Sequence, residues 1–219
     1  MNFLKKFLKK PEYFCKKDGT PTKFYYFYEA LYFFLFKTNK ETETAPHIRD
    51  ALDMKRLMVT VVVALIPAVI MALYNTGLQA NLVIDSMSSL PEPNWQRKVI
   101  EWLGIGFNPN NIFANLIQGA LYFFPLYIVV LAVGGFWEVV FAMIRKHPIN
   151  EGFLVTSLLF PLIVPPDLPY WQAALGISFG VVIGKEVFGG VGMNIVNPAL
   201  AGRVFLFFAY PAQISGDKV

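Results

Sequence analysis

Two long stretches of the sequence carry no charged side chain, and they limit the fold more than any other feature. Asp, Glu, Lys and Arg are absent from Leu57–Ile84 and from Asn108–Trp137. Each stretch is longer than the roughly 20 apolar residues that cross a bilayer as a helix. Only 16% of the 219 residues are charged, whereas an ordinary soluble domain has about 25%. The sequence therefore predicts an all-α integral membrane protein.

Residues 1–56 form a basic polar arm before the first apolar stretch. The arm contains 12 of the 19 Lys and Arg residues and 7 of the 15 acidic residues, a net charge of +5. Positively charged flanks stay on the cytoplasmic side of a membrane, which predicts a cytoplasmic arm and amino terminus. Apolar residues at helical spacing within 1–10 fit a helix lying on anionic lipid or a solvated tail, and both interpretations stay open.

Composition also excludes some classes of partner and cofactor. The basic arm lacks the stacking and groove patterns of nucleic-acid-binding proteins, so membrane lipid is its predicted partner. The single cysteine, Cys15, excludes an internal disulfide and a cysteine-ligated cluster within one chain.

The apolar segments after the arm predict a multi-span helical bundle over residues 57–219. Its spans are predicted at about 57–76, 112–144, 152–166, 168–184 and 198–214, with an external loop over 77–111. A helix over 112–144 would exceed the roughly 30 Å hydrocarbon core of a bilayer. It must therefore tilt, protrude or break, and Gly134-Gly135 is the predicted weak point.

The last third of the chain, Gly152–Asp217, is apolar but repeatedly interrupted by Gly, Pro and Asn. Short helices broken in this way indicate a binding site at membrane depth. They also fit a passive channel or carrier, and a structural anchor is a further alternative. The final apolar segment leaves too little chain to complete a bundle, so the chain is expected to be part of a longer protein.

Glu138 is the ionisable residue that stands out within the apolar segments. A carboxylate in or near a span is costly, which makes it a candidate cation ligand, proton carrier or quinone partner. The alternative is an interfacial carboxylate paired with Arg145 or Lys146. The pair Lys185-Glu186 is predicted to lie at the next cytoplasmic edge.

A second candidate site is the bend that contains Gly189-Gly190, Gly192, Asn194 and Asn197. Asn offers both a donor and an acceptor, which suits the mixed polar edge of a flavin ring. The alternative is a turn in which Asn caps a helix that begins at Pro198. The glycine spacing does not form a standard dinucleotide fingerprint.

Several longer motifs occur in one order along nearly the whole chain. They are His47-Ile-Arg-Asp50, Val133-Gly-Gly-Phe-Trp-Glu-Val139, Arg145-Lys-His147, Asn150-Glu-Gly152, Pro169-Tyr-Trp-Gln-Ala-Ala-Leu-Gly176, Lys185-Glu-Val-Phe-Gly-Gly190 and Asn197-Pro-Ala-Leu-Ala-Gly-Arg203. Together they resemble the amino-terminal half of NqrB, a membrane subunit of the sodium-translocating NADH:quinone oxidoreductase. RnfD, from the related Rnf complex, is the near neighbour and the alternative.

The resemblance implies the first half of a bundle of about ten helices in two related repeats, similar to urea transporters. It implies a subunit of a six-subunit translocase in the bacterial inner membrane. That complex passes electrons from NADH through flavins to ubiquinone or menaquinone and drives sodium outward. NqrB would carry riboflavin, an FMN linked to a threonine, and the quinone site. The Ser-Gly-Ala-Thr motif that bears the FMN is absent here and is expected beyond Val219.

The resemblance also assigns residues to these sites. The quinone and ion-uptake region corresponds to Gly134, Gly135 and Glu138, with Glu138 as the candidate sodium ligand. The cytoplasmic mouth of the quinone cavity is matched, as further candidates, by Glu151, Phe153 and Thr156. The riboflavin contacts correspond to Asn194 and Asn197.

Overall fold

The computed structural model describes residues 16–17, 20–21, 54–86, 94–145 and 152–214. Within the arm, two short strands pair antiparallel, β1 (Lys16–Lys17) and β2 (Thr20–Pro21). The rest of the described chain consists of helices joined by turns and irregular segments, which confirms the all-α class. The predicted membrane-surface segment at 1–10 lies outside the described residues, as does Glu151.

The helices follow in a simple order along the chain. They are α1 (Met54–Ser86), α2 (Trp95–Leu103), α3 (Ile112–Arg145), α4 (Gly152–Ile163), α5 (Tyr170–Val181), a π-helical turn (Val182–Glu186), α6 (Pro198–Ala209) and α7 (Pro211–Ile214). By length and composition, α1 and α3 are each able to cross a membrane. The shorter apolar helices α4 and α6 follow them in the chain.

The first long helix corrects the predicted boundary. The sequence placed its end at Thr76 and an external loop over 77–111, but α1 continues to Ser86 and α2 occupies part of that loop. Gly77 does not end the helix because it packs directly against the backbone of Asn115. Gly104 is the residue that ends α2, with φ of 67° and its N–H bonded to the Glu101 carbonyl at 3.2 Å.

The second long helix is continuous, so of the three alternatives, tilt, protrusion and a break, the break at the weak point Gly134-Gly135 does not occur. Gly134 is buried, and a Cβ atom there would lie 2.5 Å from the ring of Phe153 and 3.2 Å from Ile177. These contacts with α4 and α5 hold the glycine-containing turn in place. A glycine pair weakens a helix only where such tertiary contacts are missing.

The core of the described bundle lies between α3, α4, α5 and α6. Its fully buried apolar side chains include Val130, Phe160, Ile177 and Leu206. Glycine brings α5 and α6 close together, since a Cβ at Gly202 would lie 2.5 Å from a backbone oxygen of α5. Small residues at helix contacts are typical of membrane bundles, where backbone proximity replaces the hydrophobic driving force.

The first helix packs on α3 and α4 but leaves a broad apolar surface uncovered. Within the most apolar 18-residue stretch of α1, no residue is buried. Val63, Ile70 and Met71 are among its exposed side chains. An exposed apolar surface of this length is expected of a helix that faces lipid.

Candidate functional site

Four charged side chains meet near the carboxyl-terminal end of α3, and we call them the charge cluster. The Lys185 ammonium contacts Glu138 Oε1 and lies 3.5 Å from Glu186 Oε1. Arg145 Nη1 lies 3.2 Å from Glu186 Oε2, and Arg145 Nη2 donates to the Glu186 carbonyl oxygen. Lys185 thus bridges two carboxylates, and Glu186 bridges two cations.

Three of the four side chains in the charge cluster are buried, and Arg145 is partly exposed. The side chains of Glu138 and Lys185 are each 5% exposed, that of Glu186 is 2% exposed, and that of Arg145 is 30% exposed. Burying an ion is costly unless it is paired and hydrogen-bonded. Two carboxylates and two cations balance each other, so the arrangement meets that condition.

The periodicity of α3 brings its members of the cluster to one face. Gly134, Glu138 and Ala142 follow one another at intervals of four residues and are all buried. Arg145 comes seven residues after Glu138, which is about two helical turns on the same face. One helix stripe therefore carries both the tight glycine contact and two of the four charges.

The π-helical turn supplies the other two charges. The N–H of Val187 bonds to the Val182 carbonyl at 2.9 Å, a spacing of five residues instead of four. This turn carries both Lys185 and Glu186 into the interior. Their predicted position at a cytoplasmic edge of the membrane stays a prediction. Wide turns of this kind often occur at functional sites.

A glycine bend follows the π-helical turn and passes close to the cluster. Gly189, Gly190 and Gly192 have φ values of 121°, 97° and 87°. Residues other than glycine rarely adopt such backbone angles. A Cβ on Gly190 would lie 3.9 Å from both carboxylate oxygens of Glu186. The bend predicted from the glycines is present, and it places backbone over a buried carboxylate.

A cavity of about 340 Å³ opens beside the charge cluster. Its polar wall is formed by Thr156, Lys185, Asn194 and Asn197. The remaining wall comes from α1, α4, the bend and the start of α6, and it consists of Met58, Gly152, Val155, Leu159, Val191, Ile195, Val196 and Pro198. Ligand sites are commonly cavities of roughly 300 to 1,000 Å³ with mostly apolar walls and a few polar groups. Lys185 is the residue shared by the cavity and the cluster.

The two asparagines also have a structural role in the bend. Asn197 Oδ1 accepts from the Ala199 N–H at 2.9 Å and caps α6. Asn194 Oδ1 accepts from the Gly192 N–H at 3.3 Å, and its Nδ2 donates to the Val196 carbonyl at 3.0 Å. The capping interpretation is therefore confirmed. The amide N–H groups of Asn197 have no partner within the described part of the chain, and a flavin contact stays a prediction.

The residues predicted to form the quinone site differ in how tightly they are packed. The ring of Phe153 packs on Gly134, one helical turn before Glu138. A Cβ on Gly135 would lie 3.7 Å from the same ring, which is an ordinary contact. Thr156 lines the cavity and donates to the Gly152 carbonyl at 3.5 Å. The structure thus brings Gly134 and Phe153 together and leaves space at Gly135.

Sequence reasoning identified Glu138 but not its partner. The structure pairs Glu138 with Lys185, and it pairs Arg145 with Glu186. The available signal was two adjacent charges at the end of an apolar segment. The π-helical turn that carries both inward leaves no distinct pattern in the sequence.

The described residues contain no group of three or more His, Cys, Asp or Glu side chains arranged to hold a metal ion. Any cation bound at Glu138 would therefore take most of its ligands from neutral oxygen atoms.

Comparison with known proteins decides the family. Residues 41–218 match the NQR2, RnfD, RnfE family over most of the chain. The chain belongs to this family. The predicted resemblance is thus confirmed. Family membership and the two helices able to cross a membrane, α1 and α3, together identify the chain as a helical membrane protein.

Curated members of the family are similar over almost the whole chain. The NqrB subunit of the Na(+)-translocating NADH-quinone reductase from Ectopseudomonas mendocina (strain ymp) is 54% identical over 218 residues, which cover 99% of this chain and 54% of that protein. The same subunit from Stutzerimonas stutzeri (strain A1501) is 53% identical with the same coverage. Its counterpart in Yersinia pestis is 53% identical over 223 residues, again 99% of this chain and 54% of that protein. The chain spans about half the length of the curated relatives it matches.

Proposed function

We propose that this chain forms part of the membrane subunit of a redox-driven sodium pump that transfers electrons from NADH to a quinone. The names of its relatives support this function. The observation that carries it is the buried ion pair of Glu138 and Lys185 beside a cavity. Ionisable side chains inside a helical membrane protein commonly mark ion or substrate pathways.

Glu138 is the proposed ligand of the transported sodium ion. Hard cations prefer oxygen ligands, and a carboxylate also compensates the charge of the ion. Glu138 is 5% exposed in its side chain, so a sodium ion bound there would be shielded from bulk water. The proposed quinone region is the adjacent turn of α3, where Phe153 packs on Gly134.

The cavity is the proposed riboflavin site. Riboflavin, when bound, accepts and passes on electrons. The residues present fit it in chemical type: the Asn197 amide and the Lys185 ammonium are donors, and the carbonyl edge of a flavin is an acceptor. The apolar side chains of Met58, Leu159 and Val191 would cover the ring faces. A threonine-linked FMN is proposed as a second flavin of the complete subunit.

The proposed setting is the inner membrane of a bacterium, with the basic arm in the cytoplasm. The other subunits of a six-subunit complex, quinone, sodium and membrane lipid are the proposed partners. The family description also includes RnfD, which makes a component of the Rnf complex the second candidate. The relatives compared above are named as subunits of the sodium-translocating reductase, which favours the sodium pump.

Replacing the carboxylate of Glu138 tests the proposed function. In the complete complex, Glu138→Gln is expected to lower the sodium stimulation of NADH-driven quinone reduction about tenfold, because the sodium ligand loses its charge. Glu101→Gln is the matched control, since Glu101 is exposed on α2 and 4.0 Å from Arg97. Equal sodium stimulation in both variants would overturn the assignment of Glu138.

A further inference from the structure

We propose that Lys185 is an internal competitor of the transported cation. Its ammonium neutralises Glu138 while no sodium is bound, and it withdraws toward the cavity when sodium arrives. This inference rests on the proposed role of Glu138 as the sodium ligand, and it adds a positioning residue that sets the affinity of that site.

The position of the ammonium supports a competition. Lys185 Nζ contacts Glu138 Oε1 and lies 3.5 Å from Glu186 Oε1. A sodium ion that took Glu138 Oε1 as a ligand would occupy the place of this ammonium. Because both are single positive charges at one place, they exclude each other at short range.

Charge balance gives the same result. The charge cluster holds two carboxylates and two cations, so it is neutral when all four groups are ionised. Adding sodium while Lys185 stayed in place would leave one uncompensated positive charge in the interior, which is costly. If Lys185 gives its place to sodium, Glu138 stays compensated and the surplus positive charge moves to the polar wall of the cavity.

Of the two cations in the cluster, Lys185 is the one able to move. Arg145 is held by the carboxylate and the backbone carbonyl of Glu186, and its guanidinium lies 5.5 Å from the centre of the Phe141 ring. Lysine has a compact charge on a flexible stem. The Lys185 side chain also borders the 340 Å³ cavity proposed for riboflavin, where its ammonium has other hydrogen-bond acceptors along the wall and at the carbonyl edge of a bound flavin.

The cavity offers acceptors for a displaced ammonium. Thr156, Asn194 and Asn197 contribute hydroxyl and amide oxygen atoms to its wall. The displaced ammonium would thus exchange a carboxylate for neutral oxygens. Without sodium, the equilibrium between the paired and the displaced ammonium would favour the Glu138–Lys185 ion pair. The apparent sodium affinity would then be lowered by the fraction of molecules in which the ammonium is displaced.

The test replaces Lys185 in the complete complex and measures sodium affinity. In Lys185→Met, the concentration of sodium that gives half-maximal binding of ²²Na⁺ is expected to fall about fivefold or more, because the competitor is absent. Lys98→Met is the matched control, since Lys98 is exposed on α2. A half-saturating concentration that is unchanged or higher in Lys185→Met would overturn the competition.

A conservative variant keeps the test decisive if Lys185→Met does not assemble. Lys185→Arg retains the positive charge, and its guanidinium group can form two parallel hydrogen bonds to one carboxylate. Its half-saturating sodium concentration is expected to rise about fivefold. An unchanged or lower value would overturn the proposal. If Glu138→Gln abolishes sodium binding while neither Lys185 variant shifts it, the pump assignment stands and the competitor role falls.

Discussion

Two of the polar contacts that hold α3 in place lie near its opposite ends, and they differ in charge. Near its amino-terminal end, Asn115 accepts a hydrogen bond from Asn81 of α1 at 2.7 Å, and both residues are fully buried. Near its carboxyl-terminal end, Glu138 and Arg145 enter the charge cluster with Lys185 and Glu186. The first contact is neutral, and the second is ionised.

The difference in charge indicates which end of α3 has a structural role and which has a functional one. Neutral amides that pair across membrane helices act as polar attachments and require no counter-ion. Buried charges cost far more, and hydrophobic replacements of similar shape are often neutral or stabilising. A site that keeps four charges beside a cavity is therefore better explained by ion handling than by stability. The neutral contact is explained by helix packing alone.

The largest effect on stability is expected from breaking the charge cluster. Glu186→Gln would leave Arg145 and Lys185 with one carboxylate between them, a loss of about 3–5 kcal/mol for a buried pair. The measurement is the temperature at which half of the subunit is lost from the solubilised complex. Glu101→Gln is the surface control, with an expected loss below about 1 kcal/mol. A shift in Glu186→Gln no larger than in the control would contradict the buried ion network.

An intermediate effect is expected where α1 and α3 touch through glycine. A Cβ on Gly119 would overlap the backbone carbonyl of Leu73, so Gly119→Ala is expected to cost about 1–3 kcal/mol. Gly135→Ala is the control on the same helix, because its Cβ would make an ordinary 3.7 Å contact. Equal thermal stability of the two variants would show that α1 does not approach α3 this closely.

The smallest effect is expected from the neutral amide pair. Asn81→Ala removes the hydrogen bond to Asn115, but Asn115 keeps its own bond to the Pro109 carbonyl at 2.8 Å. Interhelical hydrogen bonds in membrane proteins contribute about 0.6 kcal/mol on average. Sodium stimulation is expected to stay unchanged in this variant. A large loss of sodium stimulation would remove the distinction between the two ends of α3.

Charge-free length predicted the long helices and the membrane class, because a span requires many apolar residues in succession. Helix ends were harder to predict. Glycine commonly follows the end of a helix, yet Gly77 lies inside α1 because the partner backbone packs against it. Gly134 was predicted to be a weak point of α3 on similar grounds, and Phe153 packs on it instead.

The candidate site was predictable only in part. Glu138 stands out because a carboxylate within apolar sequence is costly. Its pairing with Lys185 depends on the π-helical turn that continues α5, and no residue pattern marks that turn in the sequence. The asparagine cap of α6 was visible in Asn197-Pro198, where the side chain precedes a proline that begins the helix.

Equilibrium binding of ²²Na⁺ to the purified complex tests most directly whether the ionised end of α3 handles the cation. Wild type, Asn81→Ala and Glu138→Gln would be titrated side by side. The expected result is the loss of a sodium-binding site in Glu138→Gln alone, with unchanged binding in Asn81→Ala. Full sodium stoichiometry and affinity in Glu138→Gln would contradict the account and leave the charge cluster with a structural role.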